Sequence, residues 1–206
     1  MSSKAYDKFR KTLNRCESLL DSYRKLRDVA EQEDAPPASK DIVRGAVVLA
    51  VSALDAYVTD VFAEKLVSYL KTYEPDEALI SLLNDAGLDT EEALTMISMD
   101  RPYQRVRTLI RHHYLTHTTQ QVDVIDEMFL PYRLKKITDN AEKKAGRKTL
   151  CTSVQKLVKK RNRIAHSGDY NAHGRIRSID EEVVERRMDD MELLVKNMDD
   201  IICNRI

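Results

Sequence analysis

Arg161 and His166 stand five positions apart in the stretch KKRNRIAHSGDY (159–170), with Asn162 beside the arginine and Gly168 just past the histidine. These side chains suit RNA cleavage without a metal. That reaction takes a proton from a ribose 2′-hydroxyl, holds negative charge on a phosphorane and returns a proton to the leaving 5′-oxygen. Histidine titrates near neutrality and serves as base or acid. A guanidinium stays charged and grips two phosphate oxygens at once. Five positions along an α-helix give about 7.5 Å of rise and roughly 140° of rotation, so the two side chains do not share a face. They converge on one phosphate if His166 lies in a last turn that Gly168 ends, and better if two copies pool their residues across a two-fold axis. The spacing alone is weak, because such pairs arise by chance in basic chains.

Other chemistries lack their residues. There is no Gly-rich phosphate loop, no G-x-S-x-G elbow and no H-E-x-x-H helix. His113 and His117 are four apart, as metal ligands can be, but no carboxylate or cysteine close in sequence completes a set. They read as surface or core histidines, and neither metal nor cofactor is expected. Cys16, Cys151 and Cys203 are scattered and odd in number, which argues against a disulfide framework and fits a reducing compartment. The opening MSSKAYDKFRK is charged at once and has no apolar signal region. The most apolar run, IVRGAVVLAVSALDAYVTDVF, is interrupted by Arg44, Ser52, Asp55 and Asp60, so it reads as a buried core helix and not a membrane span. The expectation is a soluble, cytoplasmic protein with no membrane partner.

The elements that must position Arg161 and His166 are helices. Charged residues are 33% and hydrophobic ones 42% of 206 residues, with five glycines and no tryptophan, a mixture that suits long amphipathic helices. Steps of three and four from Tyr6 through Phe9, Leu13, Cys16, Leu19, Leu20, Tyr23, Leu26 and Val29 predict a helix over 4–32, ended by Pro36 and Pro37. A second helix is expected over 40–73 with Ser39 as N-cap, apolar nearly all round in its first half and so central in a bundle. PDEALISLLNDAG, DTEEALTMISM, RPYQRVRTLIRHHYLTH and TQQVDVIDEMFL read as shorter helices, the first stopped by Gly87 and the last by Pro131. From Leu150 the spacing of Val154, Leu157, Val158, Arg161 and Ile164 predicts a long helix ending at Gly168. SIDE (178–181) matches a capping box, Ser178 as cap, opening a last helix with Val184, Met188, Met191, Leu194, Met198, Ile201 and Ile202 inward. The expected fold is all-α: one domain over 1–206, a bundle of four long helices with 75–131 as a smaller helical insertion.

Charge is segregated, although the formal net charge is zero. Residues 133–163 hold twelve Lys and Arg against Asp139 and Glu142, net +10, while residues 180–200 hold nine acids against three bases, net −6. Lys156, Lys159, Lys160 and Arg163 are the candidates to track an RNA backbone. The competing reading is that the basic stretch pairs with the acidic last helix, within the fold or across a dimer.

RNRIAH resembles the HEPN family, whose mark is an arginine, a polar residue and a histidine near the end of a long helix. RGAVVLAVSALDAYVTDVF is similar to the early long helix of its RiboL-PSP-HEPN branch, an arginine leading an Ala/Val-rich run into ALDAYV. The likeness covers about residues 1–73 and 148–206. It implies an all-α bundle that dimerises through the motif helices, with Arg161 and His166 as the catalytic pair and Asn162 orienting one of them. It implies metal-independent RNA cleavage to a 2′,3′-cyclic phosphate, in toxin–antitoxin, phage-defence or RNA-processing settings. Its partners would be RNA, a second copy of the chain, and an antitoxin or defence protein. Some relatives keep the shape without chemistry, so a non-catalytic RNA- or protein-binding module is the alternative. Ser52 and Asp55 are expected to face the same pocket, unless they form a buried cap or internal ion pair. Toxin members can carry a modifiable tyrosine two places after the histidine; here that place is Gly168, and Tyr170 comes two further on.

Overall fold

Apolar side chains recurring every three or four residues produce the two longest pieces, α1 (Lys4–Ala30) and α2 (Lys40–Thr72). The computed structural model describes residues 2–30, 39–114 and 119–206. The Pro36–Pro37 break and His117 lie outside the described residues. α1 buries Phe9, Leu13, Cys16, Leu20 and Tyr23. Its expected stripe stops there: Leu26 and Val29 are 51% and 58% exposed. Beyond Tyr23 the helix is held to the last helix by charge, Arg24 reaching Glu185 at 2.6 Å and Arg27 reaching Glu181.

α2 is the axis of the bundle, packing on α1, α5 (Pro102–Tyr114), α8 (Leu150–Ser167) and α9 (Glu181–Arg205). By length and composition alone it could cross a membrane, but 61% of its most apolar window is buried inside the bundle, as a core helix requires. Ser39 precedes it with helical dihedrals and no side-chain cap bond, so the expected N-cap is a position without the interaction. Asp199 of α9 ties three helices together: it accepts Ser3 N–H at 2.9 Å, the Ser3 hydroxyl, and the Tyr57 hydroxyl at 3.3 Å.

The middle third is helical as expected. α3 (Glu77–Asp85) and α4 (Thr90–Ile97) start on the carboxylates of Asp76 and Asp89, each accepting an amide at 2.9 Å. α5 lays Val106 and Ile110 on α2, and α6 (Val122–Met128) leads into a tight 3-10 turn at Leu130–Tyr132. There Tyr132 stacks on Phe62, centroids 4.4 Å apart, and donates to the Phe62 carbonyl at 2.7 Å.

α7 (Ile137–Lys144) was not foreseen, since only Ile137, Thr138 and Ala141 turn inward from a run that reads as solvated charge. It serves α8 directly. Glu142 accepts the Cys151 amide at 2.7 Å, filling the role that Thr149 leaves empty at the start of α8. α8 buries Leu150, Val154, Leu157 and Val158 against α2 and α9. The capping box at Ser178 does not form: Asp180 is the N-cap of α9, accepting the amides of Glu182 and Val183 at 2.9 and 3.2 Å. The inward set of α9 is as expected, Ile201 being only half-buried.

Candidate active site

The end of α8 is made by two successive left-handed residues, Gly168 at φ 58° and Asp169 at φ 62°. Their amides return to the carbonyls of Ile164 and Arg163, both at 3.1 Å. An L-residue in this region is strained, and Asp169 is held there by charge. It is fully buried, and its Oδ2 accepts from Lys160 Nζ at 2.5 Å and Arg44 Nε at 3.2 Å. Lys160 also donates to the Ser178 carbonyl at 3.2 Å, and Arg44 to the Arg177 carbonyl at 2.7 Å. One carboxylate therefore joins the first turns of α2, the last turns of α8 and the returning chain. Beyond it, residues 169–177 form a hairpin: Tyr170 bridges Ile176, Asn171 N–H donates to the Arg175 carbonyl at 2.8 Å, and Arg177 N–H to the Asp169 carbonyl at 3.0 Å.

This overturns the reading of Lys160 as an RNA contact. Its ammonium is buried, because a carboxylate nine residues on folds back beneath the helix to meet it. Lys156, Lys159 and Arg163 are exposed as expected. Arg163 has company that the sequence hid inside an acidic helix. Burial holds the half-buried Arg187 guanidinium below its ordinary range, and the neighbouring Arg186 and Arg163 charges add to that. The only signal for it was the Arg186–Arg187 pair within residues otherwise rich in acid.

His166 stands exposed in the last turn of α8. Arg161 is half-buried, and its Nε is buried without a hydrogen-bond partner. Among the described residues no hydrogen bond joins Arg161, Asn162 and His166 to one another; the three lie toward one end of one helix, with His166 exposed and Arg161 and Asn162 half-buried. A cleft of about 610 Å³ adjoins this end, lined by Arg44, Gly45, Val48, Leu49, Ser52, Ile164, Gly168, Tyr170 and Ile176. Its rim is open and mixed: Tyr170 and Ile176 are 50% and 54% exposed, and the exposed Asp41 carboxylate, paired with Arg44 at 3.1 Å, also lines it.

Ser52 lines this cleft, its hydroxyl donating to the Val48 carbonyl at 2.9 Å. Asp55 does not join it there. Its carboxylate accepts the Thr119 amide at 3.0 Å and the Thr119 hydroxyl, and it faces a separate hollow of about 250 Å³ with Lys8, Asp60 and Arg111, which Ser52 also lines. Three residues apart on a helix, Ser52 and Asp55 are offset by only about 60° and share that hollow, but the Asp55 carboxylate is taken up by Thr119. Asp55 is thus engaged within the fold, with a half-buried carboxylate that holds the chain at Thr119.

The acidic helix is largely engaged elsewhere. Glu181, Glu185 and Glu192 pair with Arg27, Arg24 and Arg10 of α1, whereas only Lys144 and Arg147 of the 133–163 segment reach α9, at Asp200 and Asp190, both at 3.0 Å. The basic segment is therefore mostly not neutralised by α9. Among the described residues no three His, Cys, Asp or Glu side chains are grouped as a metal set.

Compared with known proteins, the chain matches a family model described as RiboL-PSP-HEPN over residues 10–204. The match runs through the middle third, which the residue-level likeness had not covered. No curated protein and no solved structure matches.

Proposed function

The chain belongs to the RiboL-PSP-HEPN family, and from that premise we propose that it is a metal-independent endoribonuclease working at the C-terminal end of α8. His166 handles protons at the 2′-hydroxyl or the 5′-oxygen, and Arg161 binds the phosphorane oxygens. Asn162 orients the substrate or the arginine. Lys156, Lys159 and Arg163, with Arg187 beside them, follow the backbone. The observation that carries this reading is the state of the motif side chains: an exposed His166 and an Arg161 whose Nε lacks a partner, at a helix end fixed by the buried Asp169 cluster.

A homodimer completes the site in this proposal. The apolar part of the rim, formed by Val48, Leu49, Ile164, Tyr170 and Ile176, lies beside the motif and suits a second copy across a two-fold axis, which would pool both arginines and both histidines. The proposal includes a toxin–antitoxin or antiphage setting, with a partner protein holding the activity in check, and for this part the family resemblance is the only support.

The test incubates the purified protein with tRNA and total RNA in EDTA, alongside Arg161→Ala and His166→Ala. Scission by the parent and its loss in both variants is the expected result. Equal scission by all three would end the proposal, and salt-sensitive RNA binding without scission would favour a binding module. Sedimentation of the parent as a monomer at the assay concentration would remove the shared site.

A further inference from the structure

The positive charge of residues 133–148 is gathered far from His166. α7 meets α8 at its start, through Glu142 and Cys151, and runs beside the last turn of α9. His166 lies at the other end of α8, roughly 25 Å away at 1.5 Å per residue. Between α7 and the end of α9 are two adjoining hollows, about 400 and 200 Å³, which share Asn140, Ile201 and Arg205. Their polar lining is Arg133, Lys135, Asn140, Lys144, Asn204 and Arg205, with no carboxylate.

Lys144 pairs with Asp200 at 3.0 Å. Among the described residues the side chains of Arg133, Lys135 and Arg205 have no hydrogen bond or ion pair. The connection leading into α7 also places Arg133 at φ 57° and Lys136 at φ 50°, positions that glycine or asparagine fills with less strain. Cations there, unopposed and flanked by two side-chain amides, fit a row of phosphodiesters.

We propose that this groove is a second RNA-backbone site, remote from Arg161 and His166, so that the protein favours strands long enough to reach both ends of α8. The inference rests on RNA being the ligand of the α8 end. At about 3.4 Å per stacked nucleotide, roughly seven nucleotides separate the two sites. Shorter strands would engage only one.

The experiment uses the full chain with His166→Ala, so that the probe survives, and labelled unstructured RNAs of about 5 and about 25 nucleotides. Arg133→Gln, Lys135→Gln and Arg205→Gln are combined in this background, with a melting curve to confirm folding. The expected result is at least a roughly tenfold loss of affinity for the long RNA, little change for the short one, and a log–log salt dependence shallower by about 2. Arg205→Gln alone, in the last turn of α9, guards against misfolding of the triple variant and should remove about a third of that slope. Unchanged affinity and slope for the long RNA would overturn the proposal, as would equal losses at both lengths. Retained RNA binding with loss of binding to poly-glutamate would assign the groove to an acidic protein and overturn it too. Groove-dependent binding by a parent chain that cuts nothing would instead count against the nuclease reading alone.

Discussion

The two ends of α8 handle positive charge in opposite ways. At the C-terminal end, Lys160 and Arg44 are drawn inward around Asp169, while His166 is exposed and the half-buried Arg161 has no partner for its Nε. At the N-terminal end, Arg133, Lys135 and Arg205 face a groove without a carboxylate. The basic stretch 133–163 thus supplies a buried structural cation, the arginine of the motif and two of the three unpaired cations of a distant groove. The difference shows that a charge run has no single role. Each cation is sorted by whether a carboxylate lies within its reach, because an unpaired charge is costly only where water is excluded.

The largest effects that separate these roles belong to the motif side chains. His166→Ala or Arg161→Ala should lower cleavage by about 10²–10⁴ fold. The melting temperature of His166→Ala should stay near the parent value, since the imidazole is exposed. Asp169→Ala should do the reverse in kind. It strands the buried Lys160 ammonium and leaves Arg44 only the exposed Asp41 carboxylate, at 3.1 Å, and should reduce unfolding free energy by about 3–5 kcal/mol in urea titration. In a Lys160→Met background the same change should cost clearly less, because one of the cations is already gone. Equal losses in both backgrounds would remove Lys160 from the cluster.

Much of this was legible in the sequence. Three- and four-residue periodicity located α1, α2, α8 and α9, and Gly168 marked the end of α8, because these depend on local pattern. The inward turn of Lys160 was not legible, since its partner Asp169 is brought underneath only by a backbone reversal. α7 was hidden because a short helix with three inward residues reads as a solvated charge run. At α9, Ser178 fitted a capping pattern, yet Asp180 took the position, and Ser178 instead offers its carbonyl to Lys160. Asp55 looked like a pocket residue because sequence spacing could not show Thr119 arriving at its carboxylate.

A smaller effect tests the turn between the buried and the open groups. A Cβ on Gly168 would sit 3.2 Å from two carbons of the Tyr170 ring, in a left-handed conformation. Gly168→Ala should destabilise by about 1–2 kcal/mol and lower cleavage by moving His166, read from urea titration and initial rates. Unchanged stability with full activity would show that the turn does not position the histidine.

The smallest effect lies away from both ends of α8. Burial raises the Cys16 thiol from an ordinary 9.0 to about 11. A raised folded value means that the neutral thiol supports the fold fully below pH 9 and loses that support as pH climbs toward 11. Alkylation of Cys16 at pH 8 should accordingly be slower than that of a free thiol by at least about 100-fold, since the reagent is also excluded from the core, and Cys16→Val should lose less stability than the parent between pH 9 and 11. Rapid labelling of Cys16 in the folded chain would contradict its burial in the core.

The central claim is that the open end of α8 cleaves RNA with its own side chains. Its most direct test is the chemistry of the cut ends on one defined oligonucleotide in EDTA, parent against His166→Ala. The account predicts a 2′,3′-cyclic phosphate and a 5′-hydroxyl from the parent and no new ends from the variant. Ends bearing a 3′-hydroxyl and 5′-phosphate, or cyclic-phosphate ends that persist in His166→Ala, would contradict it.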